Sequence, residues 1–469
     1  MQLNFRYRGA STVRGGPRSR TIALCSELGR DPVAFDGAFA DPLPFREAIS
    51  ALHAVVLDDT RFKPRGRDAW RAWKQRRDGQ RRSRRSTLIQ ESEAELQKIR
   101  ELPLPEELKE RHERDRRRYW RLRDAYGRRL MWHDRELWRQ LMPLDPVVTV
   151  ADDALLFEAF SADETSYACL SVSRDAFREV RAATPGTTNV DYSRALFEHL
   201  QGLRSYRETR FLVDPEGIAV AFAEGAELRE ETIDLPDGWL DGFRRLQLAM
   251  GRVAHTVELD RPTLYSLLAL LKRRRARQSP RHIGFELRDG RPPELVIAPW
   301  MTRIVSRGTT WRGPDLDLRV WGRRRLLTLA RALPLLQRAR VHLLGDGRPS
   351  FWELELGPMT LTLGLTSWTR HSWSRGDGRR RRPQPDASES ALDEAPEAPA
   401  TAIAAIAEMV EAHGRLSLAE VASLAKLERP SAEAALLRLA HEGLVIADLA
   451  AGAYRWRPVL PPSAVRLEA

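Results

Sequence analysis

The sequence predicts an α+β protein of repeated βαββ modules, with a basic helical hairpin near its start and a winged-helix-like domain at its end. Three observations predict it. A short Asp-led turn recurs between strand-like runs, an Arg-rich block has helical but no strand periodicity, and three helical segments followed by a hairpin close the sequence. The expected divisions are an N-terminal α+β unit at 1–62, an Arg-rich helical hairpin at 63–142, the βαββ body at 143–375, a disordered Pro/Ala/charged linker at 376–400 and the winged-helix-like domain at 401–460.

In the first division the runs LNFRYR, TIALCSE and PVAF read as strands, and PFREAISALHAVVL reads as an amphipathic helix with Phe45, Ile49, Leu52, Val55 and Val56 on one face. In the second, Leu102-Pro103-Leu104-Pro105 interrupts a helical stretch, so two arms are expected. Residues 63–139 hold about 25 basic and about 14 acidic residues, a net of about +11. Nearly all of the +12 net charge of the 469 residues therefore sits in this block. Tyr119, Leu122, Tyr126, Leu130, Leu137 and Leu141 form a helical stripe along its second arm, which would run roughly 55 Å.

The body is defined by three matching turns, DPEG at Asp214 and DGRP at Asp289 and Asp346. Each separates two strand runs: TRFLV and IAVAF, IGFEL and ELVIA, RVHLL and FWELEL. Each hairpin follows a helical run, YSRALFEHLQGL, RPTLYSLLALLKRRR or RRRLLTLARALPLLQ, and each helix follows a short extended run. A βαββ unit cannot cover its own sheet, so copies should join edge to edge or share helices between sheets. Modules of this kind resemble the sliding-clamp type of fold, a likeness of fold that assigns no function. The last hairpin, DGRPSFWELELGPMTLTLGLTSWT, is expected to bury Phe351, Leu354, Leu356, Leu361 and Leu363 and to leave Ser350, Glu353, Glu355 and Thr360 on a wet face. In the tail, Ser417 and Ser431 stand near helix starts and Gly414 and Gly443 near helix ends, and IADLAAGAYRWRPVL reads as a hairpin.

Composition limits the chemistry. The 42% hydrophobic content suits a protein with substantial cores, and a positive balance of this size suits an acidic partner. Cys25 and Cys169 are the only cysteines, too few for a disulfide framework or a thiolate zinc site. MQLNFRYRG alternates like a strand, without the apolar core of a signal peptide, and no run approaches the roughly 18 apolar residues of a membrane span. The expected compartment is the cytoplasm.

DPVVTVADDALLFEAFSADETSY, GTTNVDYSRALFEHLQGLRSYRETRFLVDPEG, IDLPDGWLDGFRRLQLAM, RVWGRRRLL and the last hairpin together resemble the bacterial SWIM zinc-finger proteins, in the body that accompanies the finger. DLAAGAYRWRPVL is similar to the end of that family's winged-helix segment. The resemblance spans roughly residues 145–375 and, more loosely, both ends. It implies an interaction protein, partnered by MoxR-type AAA+ ATPases and von Willebrand A-type proteins. The finger's Cys-x-Cys and Cys-x-His ligands are absent here, so zinc is not implied, nor any other cofactor.

Basic clusters are the candidate binding residues for nucleic acid. Lys74, Arg76, Arg77, Arg81, Arg82, Arg84 and Arg85 would neutralise phosphates, with Trp70 and Trp73 placed to stack on bases; a solvated helix face explains the same run. Lys272, Arg273, Arg274 and Arg275 end a helix, where cations also complement the helix dipole. Arg323, Arg324 and Arg325 begin one, where the dipole opposes them and an acidic partner is more readily invoked. In the tail's third helix Arg429, Arg438 and His441 face Glu433 and Glu442, so that domain packing or protein contact competes with DNA reading; Arg455 and Arg457 in the wing would serve phosphate. Enzymatic sets are not apparent: LGDG lacks the Lys-Ser/Thr of a phosphate loop, Asp58-Asp59 and Asp152-Asp153 are adjacent pairs that point apart on a strand, and His371 stands alone beside Trp368 and Trp373. The expected protein is a non-enzymatic adaptor with a polypeptide partner, and nucleic acid is the alternative partner.

Overall fold

Alternating apolar and polar residues become strands throughout the computed structural model of the protein. It describes residues 2–7, 11–15, 18–26, 32–58, 111, 114–115, 118, 146–190, 192, 194–213, 229–234, 239–276, 280–367, 372–373 and 395–459. The chain divides into two units, Met1–Asp59 with Pro143–Ala469, and Thr60–Met142. In the second, the described residues Arg111, Arg114, Asp115 and Arg118 are helical, and Arg111 lies 4.0 Å from Asp115 one turn on. The remainder of the expected hairpin, with Lys74, Arg76, Arg77, Arg81, Arg82, Arg84 and Arg85, lies outside the described residues. So do the turn at Asp214, His371 and most of the linker.

The first unit begins with β1 (Gln2–Tyr7), β2 (Thr12–Arg14), β3 (Ser19–Leu24), β4 (Ala34–Phe39) and α1 (Pro42–Val56). After the second unit follow β5 (Val147–Val150), β6 (Ala154–Phe160), β7 (Ser166–Ser173), β8 (Phe177–Thr184), β9 (Gly186–Asn189), α2 (Arg194–Leu200), β10 (Glu208–Val213), β11 (Arg229–Asp234) and α3 (Trp239–Gly251). Next come β12 (His255–Leu259), α4 (Arg261–Arg273), β13 (Ile283–Leu287), β14 (Glu294–Ile297), β15 (Thr302–Val305), β16 (Leu316–Val320), a 3-10 helix at Arg325–Arg331, β17 (Arg338–Leu343), β18 (Ser350–Glu355) and β19 (Met359–Leu365). The tail is α5 (Ala400–His413), β20 (Arg415–Leu416), α6 (Leu418–Leu424), α7 (Arg429–Glu442), β21 (Val445–Asp448) and β22 (Ala453–Trp456), the three helices and closing hairpin expected.

The modules are real, and they are interleaved. β12 opens the second copy but pairs with β17 of the third, while β16 opens the third but pairs with β13 of the second. Each copy lends its leading strand to the other's hairpin. The same exchange occurs at the N-terminal end: β9 leads to α2 and β10, yet β9 pairs with β5, and β10 pairs with β4. This reveals a module the sequence concealed, β4, α1 and the β5–β6 hairpin, with residues 60–142 inserted between helix and hairpin. The expected separate unit at 1–62 is thus built into the body, because β4 and α1 complete a module whose hairpin comes more than eighty residues later. The sheets that result are an eight-stranded one, β12-β17-β18-β19-β7-β6-β5-β9, a five-stranded one, β2-β3-β10-β4-β8, and a four-stranded one, β15-β14-β13-β16.

Helices occupy the interior between these sheets. α1 buries Phe45, Ile49, Leu52, Val55 and Val56 as its spacing predicts, and α4 buries Leu264, Leu267, Leu268 and Leu271. Both start on an aspartate cap: Asp41 accepts from the Leu43 amide at 3.0 Å and Asp260 from the Thr263 amide at 2.8 Å. The third module's expected helix is instead a 3-10 segment, Arg325–Arg331, followed by a single turn at Leu333–Leu335. Pro334 blocks an α-helix from running on past this segment, since it has no amide hydrogen to donate and its ring clashes with the carbonyl four residues back. The two DGRP turns share their backbone conformation. Gly290 and Gly347 share a φ of 71°, which favours glycine. Asp289 accepts from the Gly313 amide at 3.2 Å and Asp346 from the Arg319 amide at 2.8 Å.

The last hairpin departs from its expected wet face. Phe351, Leu354, Leu356, Leu361 and Leu363 are buried as expected, but Ser350 and Glu353 are buried too, at 1% and 2% exposure. Both faces of the eight-stranded sheet are covered: Leu354 and Leu361 belong to the core with the helices, Phe351 to a second core with the tail. Shortening the fully buried Leu354 to alanine should cost about 3 kcal/mol of unfolding free energy, read by denaturant titration. A loss under about 1 kcal/mol would show that this face is not closely packed.

Candidate functional site

Cross-strand register decides what gathers on the outer face of the eight-stranded sheet. One row runs Arg340, Glu353, Thr362, Cys169, Glu158 and Val147 across six neighbouring strands. Glu158 and Arg457 are fully buried and in ion contact at 3.0 Å, and the Tyr167 hydroxyl donates to Glu158 Oε1 at 2.7 Å. Burial pushes the Glu158 carboxyl up, against the opposing pull of Arg457 and Tyr167. Burial likewise pushes the Tyr167 hydroxyl and the Cys169 thiol well up, which leaves Cys169 an inert apolar side chain rather than a nucleophile.

In the turn between β5 and β6, Asp153 holds two tail arginines. Arg455 donates to both of its oxygens, through Nη2 at 2.9 Å and through Nη1; Arg415 Nη1 lies 2.5 Å from Oδ2. Arg455 also donates through Nε to Asp448 at 2.5 Å. Burial acts to raise the Asp153 pKa, but Arg455 and Arg415 outweigh it and hold the carboxyl below its ordinary value. The wing arginines expected to serve phosphate are therefore turned inward. Arg455 and Arg457 fix the tail to the body because their charges meet the half-exposed Asp153 and the buried Glu158 there.

The tail's third helix is similarly occupied. α7 buries Ala432, Ala435, Leu436, Leu439 and Ala440 and packs against α3, while Arg438 pairs with Glu442 at 2.8 Å. The Ala447 amide donates to Gln247 of α3 at 3.2 Å. Domain packing is what this helix does in the structure.

Register also produces an ordered set that the sequence did not reveal. Thr256 Oγ1 lies 3.0 Å from His342 Nδ1, and His342 Nε2 lies 2.9 Å from Glu353 Oε2. The order is that of a nucleophile, a base and an orienting carboxylate. Arg340, however, donates to Glu353 Oε1 at 2.8 Å and shares its charge. Thr256 and His342 are cross-strand partners on a sheet, so the set braces β12, β17 and β18.

One arginine of each body cluster approaches the same ring, Trp300. Lys272, Arg273, Arg274 and Arg275 are exposed at the end of α4, and the Arg274 guanidinium stands 5.9 Å from the Trp300 ring centre. Arg323 approaches the same ring at 5.0 Å and donates to the Ala298 carbonyl. Arg324 is exposed. Arg323 and Arg325 are both buried, and Arg325, at 1% exposure, donates to the Thr165 carbonyl, to Thr366 Oγ1 at 3.1 Å and to the Thr366 carbonyl at 3.3 Å. Burial lowers its pKa to about 10. It is an interior donor tying the 3-10 helix to the β6–β7 turn and the end of β19. Among the described residues no cluster of three or more His, Cys, Asp or Glu converges to hold a metal. No helix among them is long and apolar enough to cross a membrane.

No family model matches the chain, and no curated protein does. Among solved structures it is similar to the proliferating cellular nuclear antigen of Entamoeba histolytica, with 13% identity, 47% of this chain and 88% of that chain covered, and a TM-score of 0.33. It is similar to the PCNA of A. fulgidus bound to the C-terminal region of FEN-1, with 11% identity, coverage of 49% and 90%, and a TM-score of 0.33. It is also similar to the PCNA2–PCNA3 complex of Sulfolobus tokodaii, with 9% identity, coverage of 50% and 91%, and a TM-score of 0.32.

Two outcomes follow from the joint between tail and body. Asp153→Asn should lower the melting temperature at neutral pH. Because the Asp153 pKa is depressed in the folded state, its contribution is present above the unfolded value, about 3.9, and is lost as pH falls through the folded value. The gap between wild type and variant should therefore be constant near neutrality and close below about pH 4. Glu158→Gln should destabilise by about 3 kcal/mol by leaving Arg457 buried without a counter-charge, whereas Glu158→Leu combined with Arg457→Met should cost less, as denaturant titration will register.

Proposed function

We propose that the protein is a non-enzymatic scaffold that docks a polypeptide partner on the β8 edge of its five-stranded sheet, which no described strand covers. The observation that carries this is β8. It ends the sheet, pairs with β4 along its length, and is exposed at every residue after Phe177, including Val180 at 41%. A long strand edge of this kind offers amides and carbonyls to an added strand. The pairing with β4 shifts register between Asp36 and Gly37 and between Ala38 and Phe39. Arg178, Glu179 and Arg181 give the edge mixed charge, and Arg178 pairs with Glu208, Arg181 with Glu179 at 3.0 Å. Such features blunt unselective strand pairing while a complementary strand is still accepted.

The resemblance to the SWIM family adds the nature of the partner, a MoxR-type AAA+ ATPase or a von Willebrand A-type protein. Capture of polypeptides on the immobilised full-length protein tests both parts. Val180→Lys with Ala182→Lys should leave the melting temperature within about 1 °C and abolish retention of the partner. An unchanged retained set would remove β8 from the reading, and a retained set without either ATPase or von Willebrand A-type protein would remove that pairing.

A further inference from the structure

Resting on the reading of β8 as an edge that accepts a strand, we propose that β8 pairs with β8 of a second copy of this chain whenever no foreign partner holds it. The two strands run antiparallel about a twofold axis through Val180.

Pairing with β4 sorts the side chains of β8. Phe177, Val180 and Ala183 lie opposite Phe39, Gly37 and Phe35, which are alternate residues of β4 and so share one face. The two register shifts make Arg178 and Arg181 the extra residues, which is why the apolar positions of β8 recur every third residue. This face belongs to the core: Phe39 and Phe177 stack at 4.5 Å, Phe35 meets Phe177 edge to face at 4.8 Å, and a Cβ at Gly37 would press on both the Phe35 and the Phe177 ring. Its last residues are nevertheless uncovered. Phe177 is 7% exposed, but Val180 is 41% exposed and Ala183 is exposed as well. The apolar face thus runs out into water at the edge strand, and a neighbouring strand would extend it.

On the other side Glu179 lies opposite Ala38 and accepts from Arg181 Nε at 3.0 Å, with both side chains exposed. Antiparallel pairing centred on Val180 sets each Glu179 opposite Arg181 of the second copy. It also sets Val180 against Val180 and Phe177 against Ala183. Apolar side chains then meet on one face and opposite charges on the other, the two kinds of cross-strand pair that stabilise a sheet. The adjacent registers lose this match: centring on Glu179 or on Arg181 opposes that charge to itself, and centring between Val180 and Arg181 sets valine against arginine. Parallel pairing about a twofold axis opposes every residue to its own copy, Glu179 and Arg181 included. The strand is therefore self-complementary in one register. A foreign strand competes with the second copy for the same edge, so the pair shields β8 until a tighter partner arrives.

Sedimentation velocity of the full-length protein over a concentration series tests this, and wild type should show a monomer–dimer equilibrium. Glu179→Arg and Arg181→Glu, each alone, bring like charges opposite one another and should weaken association about tenfold. An equimolar mixture of the two variants should recover it, since each supplies the charge the other lacks, and so should Glu179→Arg with Arg181→Glu in one chain. Val180→Cys should give a disulfide-linked dimer under mild oxidation, because directly opposed residues lie about 4.5–5.5 Å apart between Cα atoms, within a disulfide's reach. Ala182→Cys, opposite Arg178, should not; Cys25 and Cys169 are buried and leave little background. Wild type that stays monomeric at every concentration, a dimer unchanged in both single variants, a mixture no tighter than either variant, or cross-linking through Ala182→Cys instead of Val180→Cys would each overturn the proposal. A monomer that still captures a foreign polypeptide on β8 refutes the self-pairing alone, whereas a dimer with these properties that captures none refutes the foreign partner alone.

Discussion

The exchange of leading strands between modules is the constraint on which the structure depends. A βαββ unit whose own first strand completed its own sheet would leave the helix side of that sheet uncovered. Sending β12 to β17 and β16 to β13 forces the hairpins of two modules into different sheets, and the helices between them are then enclosed. The N-terminal pair repeats the solution with β9 sent to β5 and β4 to β10. The eight-stranded sheet joins the two pairs through β19 and β7, whose register runs from Met359 with Val172 to Leu365 with Ser166.

One consequence is polar. A sheet this broad carries alternate residues on its outer face, and here that face is covered by the tail. Its polar groups must then find partners inside the protein. Glu158 meets Arg457 and Tyr167, Glu353 meets His342 and Arg340, and Thr149 lies 3.1 Å from Thr187. Most of these partners are supplied by register, but Arg457 comes from the tail, some three hundred residues after Glu158. The joint is therefore part of the sheet's own accounting of charge, and the tail is not a freely attached module.

This explains what the sequence made legible. The α1 face, the two DGRP turns and the three tail helices depend on local spacing, and each appears where spacing placed it. That the helical run of the third module breaks up after Arg331 follows from Pro334 once that residue is given its full weight against the helical periodicity. The fourth module was hidden because the insertion at 60–142 separates its helix from its hairpin, and periodicity cannot see across such a gap. Ser350 and Glu353 were assigned to solvent because alternation identifies two faces without telling whether the second is covered. The joint at Asp153 and Glu158 had no sequence signal, since carboxylate and guanidinium are brought together by topology alone.

Arginines that look alike in sequence have separate tasks in the fold. Arg325 donates to carbonyl groups in the interior, where burial lowers its pKa and makes it a poor choice for any external anion. Arg455 and Arg457 neutralise carboxylates beneath the tail. Arg323, two positions before Arg325, is buried as well, donating to the Ala298 carbonyl beside the Trp300 ring. A guanidinium satisfied by carboxylates or carbonyls inside the protein adds little to the field outside it, whereas exposed ones such as Arg273 and Arg324 act on it directly. The external field of the body is thus set by how its arginines are partnered more than by how many there are.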